Sequence, residues 1–266
     1  MKLNIVPART GSTWVKLGMK TFFKQPLALA GLFFMFMALM TIVSMVPYIG
    51  FALAMTLLPA ATLGLMAATR EADSGRFPMP VILVAAFRAG KQQARAMITL
   101  GAMYAGGFLL AMGASWLVDD GGFARVYLGG ANPTRELMIE TNFQSAMWVF
   151  ISLHLPLSLM FWHAPALVHW HGLPPVKALF FSLVACLRNF WAYTIFGLMW
   201  LAALIGVVVG VTTIATLLGN TALAGDLLFP ALLLMASMFF TSLYFTFRDS
   251  FDLPAEATEK LPAELL

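Results

Sequence analysis

Charged residues are scarce in this sequence, and cysteine is almost absent. Asp, Glu, Lys and Arg make up 11% of the 266 residues and hydrophobic residues 61%, whereas about a quarter of an ordinary soluble domain is charged. So few charges cannot form the polar shell that a soluble domain of this length needs. The single cysteine, Cys186, excludes an intrachain disulfide.

Signatures of catalysis are also missing. The sequence has no Walker loop, no nucleophile elbow and no paired-carboxylate site. Ionisable residues inside the bilayer usually mark coupled transport, but here the nearest acids lie at or beyond the ends of the apolar runs: Asp119, Asp120, Glu136, Glu140 and Asp226. We therefore expect neither an enzyme nor an ion-coupled pump, and no bound cofactor.

Six long apolar runs dominate the chain. They cover residues 26–46, 48–69, 96–118, 143–168, 191–218 and 227–247. About 20 apolar residues suffice to cross the hydrocarbon core as a helix, and the runs are continuous rather than alternating, which argues against a transmembrane barrel. The sequence predicts an all-α membrane protein with six transmembrane helices and a single domain over 1–266.

The basic residues are distributed very unevenly. Fourteen of the sixteen Lys and Arg residues fall in segments 1–25, 70–95, 169–190 and 248–266. The positive-inside rule places these segments, and both termini, in the cytoplasm and the 119–142 loop on the opposite side of the membrane. Topology then accounts for the net charge of +4, and no nucleic-acid partner is expected.

A basic segment precedes each odd-numbered run, which indicates a threefold repeat. These segments cover residues 13–26, 80–95 and 174–189, and their pattern favours short amphipathic helices lying in the interface, each followed by a transmembrane hairpin. The bases proposed to contact anionic lipid are Lys16, Lys20, Lys24, Arg88, Lys91, Arg95, Lys177 and Arg188. The alternative is that they only set topology.

Four histidines lie close together in the sequence: His154, His163, His169 and His171. Imidazole is a common metal ligand, but His154 and His163 are nine residues apart and lie on opposite faces of an unbroken helix. Pro156 and Pro165 leave that geometry open. Haem or metal binding through His154 and His163 is the weakest hypothesis, and hydrogen bonding near the interface is favoured.

Prolines and small residues mark several runs. Even-numbered runs contain prolines that interrupt helix hydrogen bonding: Pro59, Pro156 and Pro165. Kinks there would either open a central cavity or only shape the bundle. Small residues recur at helical spacing, which predicts close helix packing: Gly206 and Gly210, and Ala102, Gly106 and Gly113.

One segment of the 119–142 loop has a residue pattern that predicts a short helix. Asn132 is a suitable N-cap and Pro133 a suitable first helical residue, with Glu136 in the first turn. We therefore expect a short helix that begins at Pro133.

Several short motifs resemble a known family. They are Phe161-Trp-His-Ala-Pro-Ala-Leu167, Pro174-Pro-Val-Lys-Ala178, Cys186-Leu-Arg-Asn189 and Tyr244-Phe-Thr-Phe-Arg-Asp249. Together with the repeated basic helix, they resemble uncharacterised six-helix inner-membrane proteins of proteobacteria. These are similar to YciC-like proteins and to the membrane domain attached to some glycerophosphodiester phosphodiesterases. The resemblance implies a multi-pass inner-membrane protein without established catalysis, and no catalytic residue carries over.

Two main functional hypotheses follow. The first is a non-enzymatic membrane protein that binds membrane lipid, possibly anionic, or a partner membrane protein, as an assembly factor, scaffold or accessory subunit. The alternative is a facilitative carrier or channel for an apolar or amphiphilic small molecule. An oligomer is compatible with either hypothesis.

Overall fold

A computed structural model of the protein describes residues 2–132, 134–220 and 222–252. Regular structure in these residues is helical, apart from an isolated antiparallel bridge between Leu3 and Phe251. The helices are α1 Thr10–Lys24, α2 Pro26–Ser44, α3 Gly50–Asp73, a 3-10 helix Pro80–Val84, α4 Ala85–Arg88, α5 Lys91–Asp119, α6 Gly122–Tyr127, α7 Arg135–Ile139, α8 Thr141–Phe161, α9 Ala164–His171, α10 Pro175–Arg188, α11 Phe190–Leu217 and α12 Ala222–Ser250.

Six helical segments within the described residues are long and apolar enough to cross a membrane. They are α2, α3, α5, α11, α12 and the pair α8 and α9, which together cover Thr141–His171. The prediction of an all-α, six-helix membrane protein is confirmed. The fourth span differs from a simple helix because it breaks at Trp162 and His163, between α8 and α9.

The helices form three units arranged in a ring. The first unit is α1 to α3, the second runs from the 3-10 helix to α9, and the third is α10 to α12. Each short helix packs on the second span of the preceding unit. The 3-10 helix and α4 pack on α3, α10 packs on α8 and α9, and α1 packs on α12. Because α1 belongs to the first unit and α12 to the third, the ring is closed.

Glycines allow α1 to approach the third unit closely. A Cβ on Gly11 would lie 2.1 Å from the carbonyl oxygen of Ala192, and one on Gly18 would lie 2.5 Å from Cβ of Ser242. Between these contacts Trp14 is fully buried, and its indole nitrogen donates to Asp249 over 3.0 Å. The glycines therefore bring the α1 backbone against α11 and α12.

The N-terminal residues close the same junction through backbone bonds. The amide of Asn4 donates to the carbonyl oxygen of Ser250 over 2.9 Å. The side chain of Asn189, at the junction of α10 and α11, accepts from the amide of Val6 over 2.8 Å and donates to the carbonyl of Asn4 over 3.1 Å. The segment before α1 is thus fixed to the α10–α11 junction and to the end of α12.

One end of the bundle carries most of the charge, and we call it the basic face. Asp73 at the end of α3 lies 3.7 Å from Nζ of Lys24 and 3.6 Å from a guanidinium nitrogen of Arg248. Arg248 also contacts Asp249 over 2.9 Å. These partly exposed ion pairs each contribute little to stability. Through Asp73, however, they link α1 and α3 of the first unit to α12 of the third.

The second basic segment differs from its prediction. Its helical part ends at Arg88, and Gly90 takes a φ of 111°, which favours glycine and separates α4 from α5. Lys91 and Arg95 consequently lie in the first turns of the span α5, not on an interfacial helix. The expected continuous helix over 80–95 is wrong.

The predicted start of the loop helix is also wrong. Helix α7 begins at Arg135, and the hydroxyl of Thr134 accepts from the amide of Leu137 over 3.3 Å. Thr134, rather than Asn132, is the N-cap, because its oxygen reaches the third helical amide. Pro133 lies outside the described residues, as does 253–266 of the predicted cytoplasmic tail.

The small residues predicted to pack are mostly not at helix contacts. A Cβ on any of four of them would meet nothing within 4 Å: Gly106, Gly113, Gly206 and Gly210. Close approaches occur instead at Gly64, next to Leu83, and at Gly101, next to Thr56. Helical spacing identifies a face, but it does not reveal which face turns toward a neighbouring helix.

Candidate binding sites in the bundle and on its basic face

A cavity of about 420 Å³ lies where the second spans of the three units converge. These second spans are α3, α8 with α9, and α12. Helix α5 adds Tyr104 to the lining. We call this opening the central cavity. Its lining residues are Leu58, Pro59, Thr62, Tyr104, His154, Ser158, Phe161, Trp162, Pro165, Phe239, Phe240 and Leu243. Two of the three predicted kink prolines therefore line a cavity, while Pro156 does not.

The central cavity is apolar but contains unpaired polar groups. Nδ1 of His154 is buried without a hydrogen-bond partner. Within the described residues, the hydroxyls of Tyr104 and Ser158 have no side-chain partner either. Thr62 instead donates to the carbonyl of Leu58 over 2.9 Å. Of the described residues, no Asp, Glu, Lys or Arg lines this cavity, so its surface carries no fixed charge from those types.

Aromatic packing fixes the two largest polar side chains of the cavity. The ring of His154 stacks on Phe150 at a centroid distance of 5.0 Å and an interplanar angle of 11°, and its edge meets Phe108. Tyr104 packs against Phe161 at 5.0 Å. Such contacts add to burial and restrict the ring orientations.

The break between α8 and α9 is held open by a hydroxyl from α10. In an unbroken helix the amide of His163 would donate to the carbonyl of Leu159. Instead that amide donates to Oγ of Ser182 over 2.9 Å, and the hydroxyl of Ser182 donates to Leu159 over 2.8 Å. A side chain inserted into the hydrogen-bond ladder is a recognised cause of kinks. The bend places Phe161, Trp162 and Pro165 around the central cavity.

His163 and His154 do not share a site. His163 is fully buried, and its Nε2 is hydrogen-bonded to the hydroxyl of Tyr193 on α11. Its ring packs on Phe247 and Phe251 rather than facing the central cavity. Within the described residues, no group of three or more His, Cys, Asp or Glu side chains is placed to hold a metal ion. The bend therefore does not bring together the two histidines that the metal hypothesis joined.

The predicted lipid-contacting bases are all exposed. They are Lys16, Lys20, Lys24, Arg88, Lys91, Arg95, Lys177 and Arg188. Large apolar side chains are exposed among them, including Phe23 on α1, at 62% of its surface, and Phe180 on α10, at 60%. Lys24 differs from the others in pairing with Asp73. Both helices therefore present charge and apolar surface side by side.

An open groove of about 930 Å³ lies on the basic face beside the 3-10 helix. Its lining residues are Glu71, Phe77, Met79, Val81, Ile82, Ala85, Arg88, Ala89 and His169. Glu71 hydrogen-bonds to Arg76 and raises the pKa of that guanidinium, chiefly through this bond. The charge of Glu71 is thus balanced by Arg76, and among the lining residues Arg88 is the one Lys or Arg side chain.

The sequence did not reveal the full lining of either the central cavity or the groove beside the 3-10 helix. The sequence patterns single out Pro59, His154 and Pro165 of the central cavity and Arg88 and His169 of the groove, but not Tyr104, Ser158 or the α12 wall of the cavity. The signal for Tyr104 was weak, since it is one polar ring in an otherwise apolar run. Exposed Phe77 and Met79 flank Pro78 in a loop, where no periodicity could indicate a groove.

Comparison with known proteins identifies a relative over the full length of the chain. The sequence is 37% identical over 265 residues, 98% of each chain, to a probable inner membrane protein of Burkholderia thailandensis. The chain belongs to the same family. The description of this relative agrees with the six helices that are long and apolar enough to cross a membrane. The chain is therefore a multi-pass membrane protein. No family model matches the sequence. No solved structure matches it either. The resemblance to YciC-like proteins stays a prediction.

Proposed function

We propose that this chain is a non-enzymatic bacterial inner-membrane protein that binds anionic phospholipid through its basic face. Both termini then lie in the cytoplasm, and the loop between α5 and α8 lies in the periplasm. The observation that carries the proposal is the exposure of every predicted lipid-contacting base beside exposed apolar side chains. The relative's description as a probable inner membrane protein supports the compartment.

Helix α1 is the best example of such a surface. Lys16, Lys20 and Lys24 lie at intervals of four residues on its exposed side, and Met19 and Phe23 are exposed beside them. Each base near an anionic membrane surface contributes about 1 kcal/mol of attraction. The apolar side chains enter the boundary between head groups and acyl chains, so this helix side suits a lipid better than water.

The groove beside the 3-10 helix supports the same assignment. Phe77, Met79 and Val81 offer exposed apolar surface, and Arg88 can bind a phosphate oxygen within the same opening. An opening with apolar walls and one cation matches a phospholipid, which has both parts. A scaffold or accessory role would use lipid bound here to hold the protein beside a partner.

The test measures phospholipid retained by the purified protein in native mass spectrometry. Phosphatidylglycerol and phosphatidylcholine of identical acyl chains are the probes. We expect phosphatidylglycerol to be retained preferentially, less so in Lys16→Gln/Lys20→Gln and in Arg88→Gln, and less at high salt because exposed charges are screened. The matched control is Arg125→Gln/Arg135→Gln on the opposite face. Equal retention of both lipids, or an equal loss in the control, would contradict the proposal.

A second candidate function is facilitative transport of an apolar or amphiphilic molecule. The observation that favours it is the central cavity between the three second spans. Cavities of about 300–1,000 Å³ are typical of small-molecule sites. Uptake of a labelled substrate into proteoliposomes would support this candidate, and binding without any flux would oppose it.

A further inference from the structure

We propose that the central cavity binds a neutral, ring-bearing, membrane-soluble molecule with a hydrogen-bonding oxygen, the chemical class of phenols and quinones. This site is separate from the lipid-binding basic face and does not depend on it. The proposal rests on the polar groups of the cavity, on its aromatic walls and on its access from the bilayer.

The polar groups require a partner that the described chain does not supply. Nδ1 of His154 is buried without a hydrogen-bond partner, and the partly buried side chains of Tyr104 and Ser158 line the same cavity without a side-chain partner among the described residues. A polar group left unpaired in an apolar environment costs free energy, so buried polar groups normally have partners. An oxygen on a bound molecule can accept from Tyr104 or Ser158. Because no Asp, Glu, Lys or Arg among the described residues lines the cavity, a neutral molecule fits better than an ion.

The walls favour a ring over a flexible acyl chain. The aromatic side chains of the cavity are Tyr104, Phe161, Trp162, Phe239 and Phe240. They come from α5, from the end of α8 and the break that follows it, and from α12. Aromatic rings pair favourably in stacked or edge-to-face arrangements, and an acyl chain gains none of this. A volume of about 420 Å³ suits a substituted ring with a short tail.

Access is from the hydrocarbon region, between α8 and α12. Both helices line the cavity, yet they make few direct contacts with each other. At the end nearest the basic face this gap is bridged, because Nε1 of Trp162 donates to the hydroxyl of Thr246 over 3.1 Å. A membrane-dissolved molecule can therefore enter sideways, while the bridge separates the cavity from the basic face.

The test is a titration of the purified protein with decylubiquinone, with binding followed by quenching of tryptophan fluorescence. The comparison probe is 1-hexadecanol, which has a hydrogen-bonding oxygen but no ring. Its binding is scored by its ability to displace decylubiquinone. We expect saturable binding of decylubiquinone and no displacement by 1-hexadecanol.

Variants on one helix separate the cavity from its surroundings. Ser158→Phe fills the cavity and should abolish saturable quenching, whereas Ser152→Phe, on the exposed side of α8, should bind as the wild type does. Tyr104→Phe keeps the ring and removes one hydroxyl, so its affinity should fall about fivefold, the equivalent of one net hydrogen bond. This isosteric change keeps the proposal testable if Ser158→Phe fails to fold.

Three results would overturn the proposal. They are absence of saturable binding in the folded wild type, equal loss of binding in Ser152→Phe, and recovery of the quenched tryptophan fluorescence when 1-hexadecanol is added. Retention of phosphatidylglycerol, measured on the same preparations, reports independently on the basic face. A protein that retains this lipid but ignores decylubiquinone would refute the cavity assignment alone.

Discussion

The hydroxyl of Ser182 shows how one side chain can determine the course of a membrane span. It lies between the amide of His163 and the carbonyl of Leu159, the two groups that a regular helix would join directly. Pro165 lacks an amide hydrogen and favours the start of a new helix. Proline permits the bend, and Ser182 satisfies the backbone groups that the bend separates.

Replacement of Ser182 by alanine should destabilise the protein by about 1–3 kcal/mol, the cost of a buried polar group left unpaired. The measurement is the unfolding midpoint in detergent. Ser152→Ala is the matched control, because that hydroxyl is exposed and bonds only within its own helix. We expect the control to change stability by less than about 0.5 kcal/mol. Equal stability of the two variants would contradict a structural role for Ser182.

Charged residues were far easier to predict from the sequence than polar ones. Bases cannot be buried in hydrocarbon cheaply, so their exposure follows from composition alone, and all eight predicted ones are exposed. For a serine or histidine on a helix, the free energy of facing lipid, a neighbouring helix or a cavity differs much less. His154 and His163 illustrate this, since His154 lines the central cavity while His163 packs on Phe247 and is hydrogen-bonded to Tyr193.

At the scale of the helix, length and position were predictable but orientation was not. Hydropathy located all six spans, because an apolar run must match the thickness of the bilayer. The face that each helix turns inward depends on its neighbours. Gly101 and Gly106 lie on the same helix, yet a Cβ on Gly101 would lie 1.9 Å from the carbonyl of Thr56, while one on Gly106 would meet nothing within 4 Å.

These two glycines provide a matched test of the packing between α3 and α5. Gly101→Leu should destabilise the protein by about 3 kcal/mol, the upper end of the cost of overpacking, because the atom that obstructs the new side chain is backbone. Gly106→Leu should be nearly neutral. The proportion of monodisperse protein after heating, followed by size-exclusion chromatography, distinguishes the two. A greater loss with Gly106→Leu would mean that the helix faces are assigned wrongly.

Considered as a whole, the molecule is a ring of three units rather than a row. The repeat was readable from the sequence because each unit begins with a basic segment. The closure of the ring was not, since it depends on Gly11, Gly18 and Asn189, whose contacts join residues far apart in the chain. No pattern in α1 alone shows that its partners are α11 and α12.

The proposed topology can be tested with a membrane-impermeant maleimide on spheroplasts. Lys20→Cys lies on the basic face and Gly130→Cys in the exposed loop between α6 and α7. We expect Gly130→Cys to react in intact spheroplasts and Lys20→Cys only after lysis. The native Cys186 should stay silent, because burial raises the pKa of its thiol to about 12 and little reactive thiolate forms near pH 7.5. Labelling in the reverse order would invert the orientation.

Ring closure has a consequence for the synthesis of the protein. Helix α1 emerges from the ribosome before its packing partners α11 and α12. Until they arrive, Trp14, whose ring packs on Tyr193 and Phe196 of α11 in the finished fold, lacks these contacts and can use the membrane interface as an apolar surface instead. The amphipathic character of α1 therefore serves an early stage of assembly, when lipid occupies the place that the third unit will take. Helix α1 is thus made well before the helices that bury Trp14.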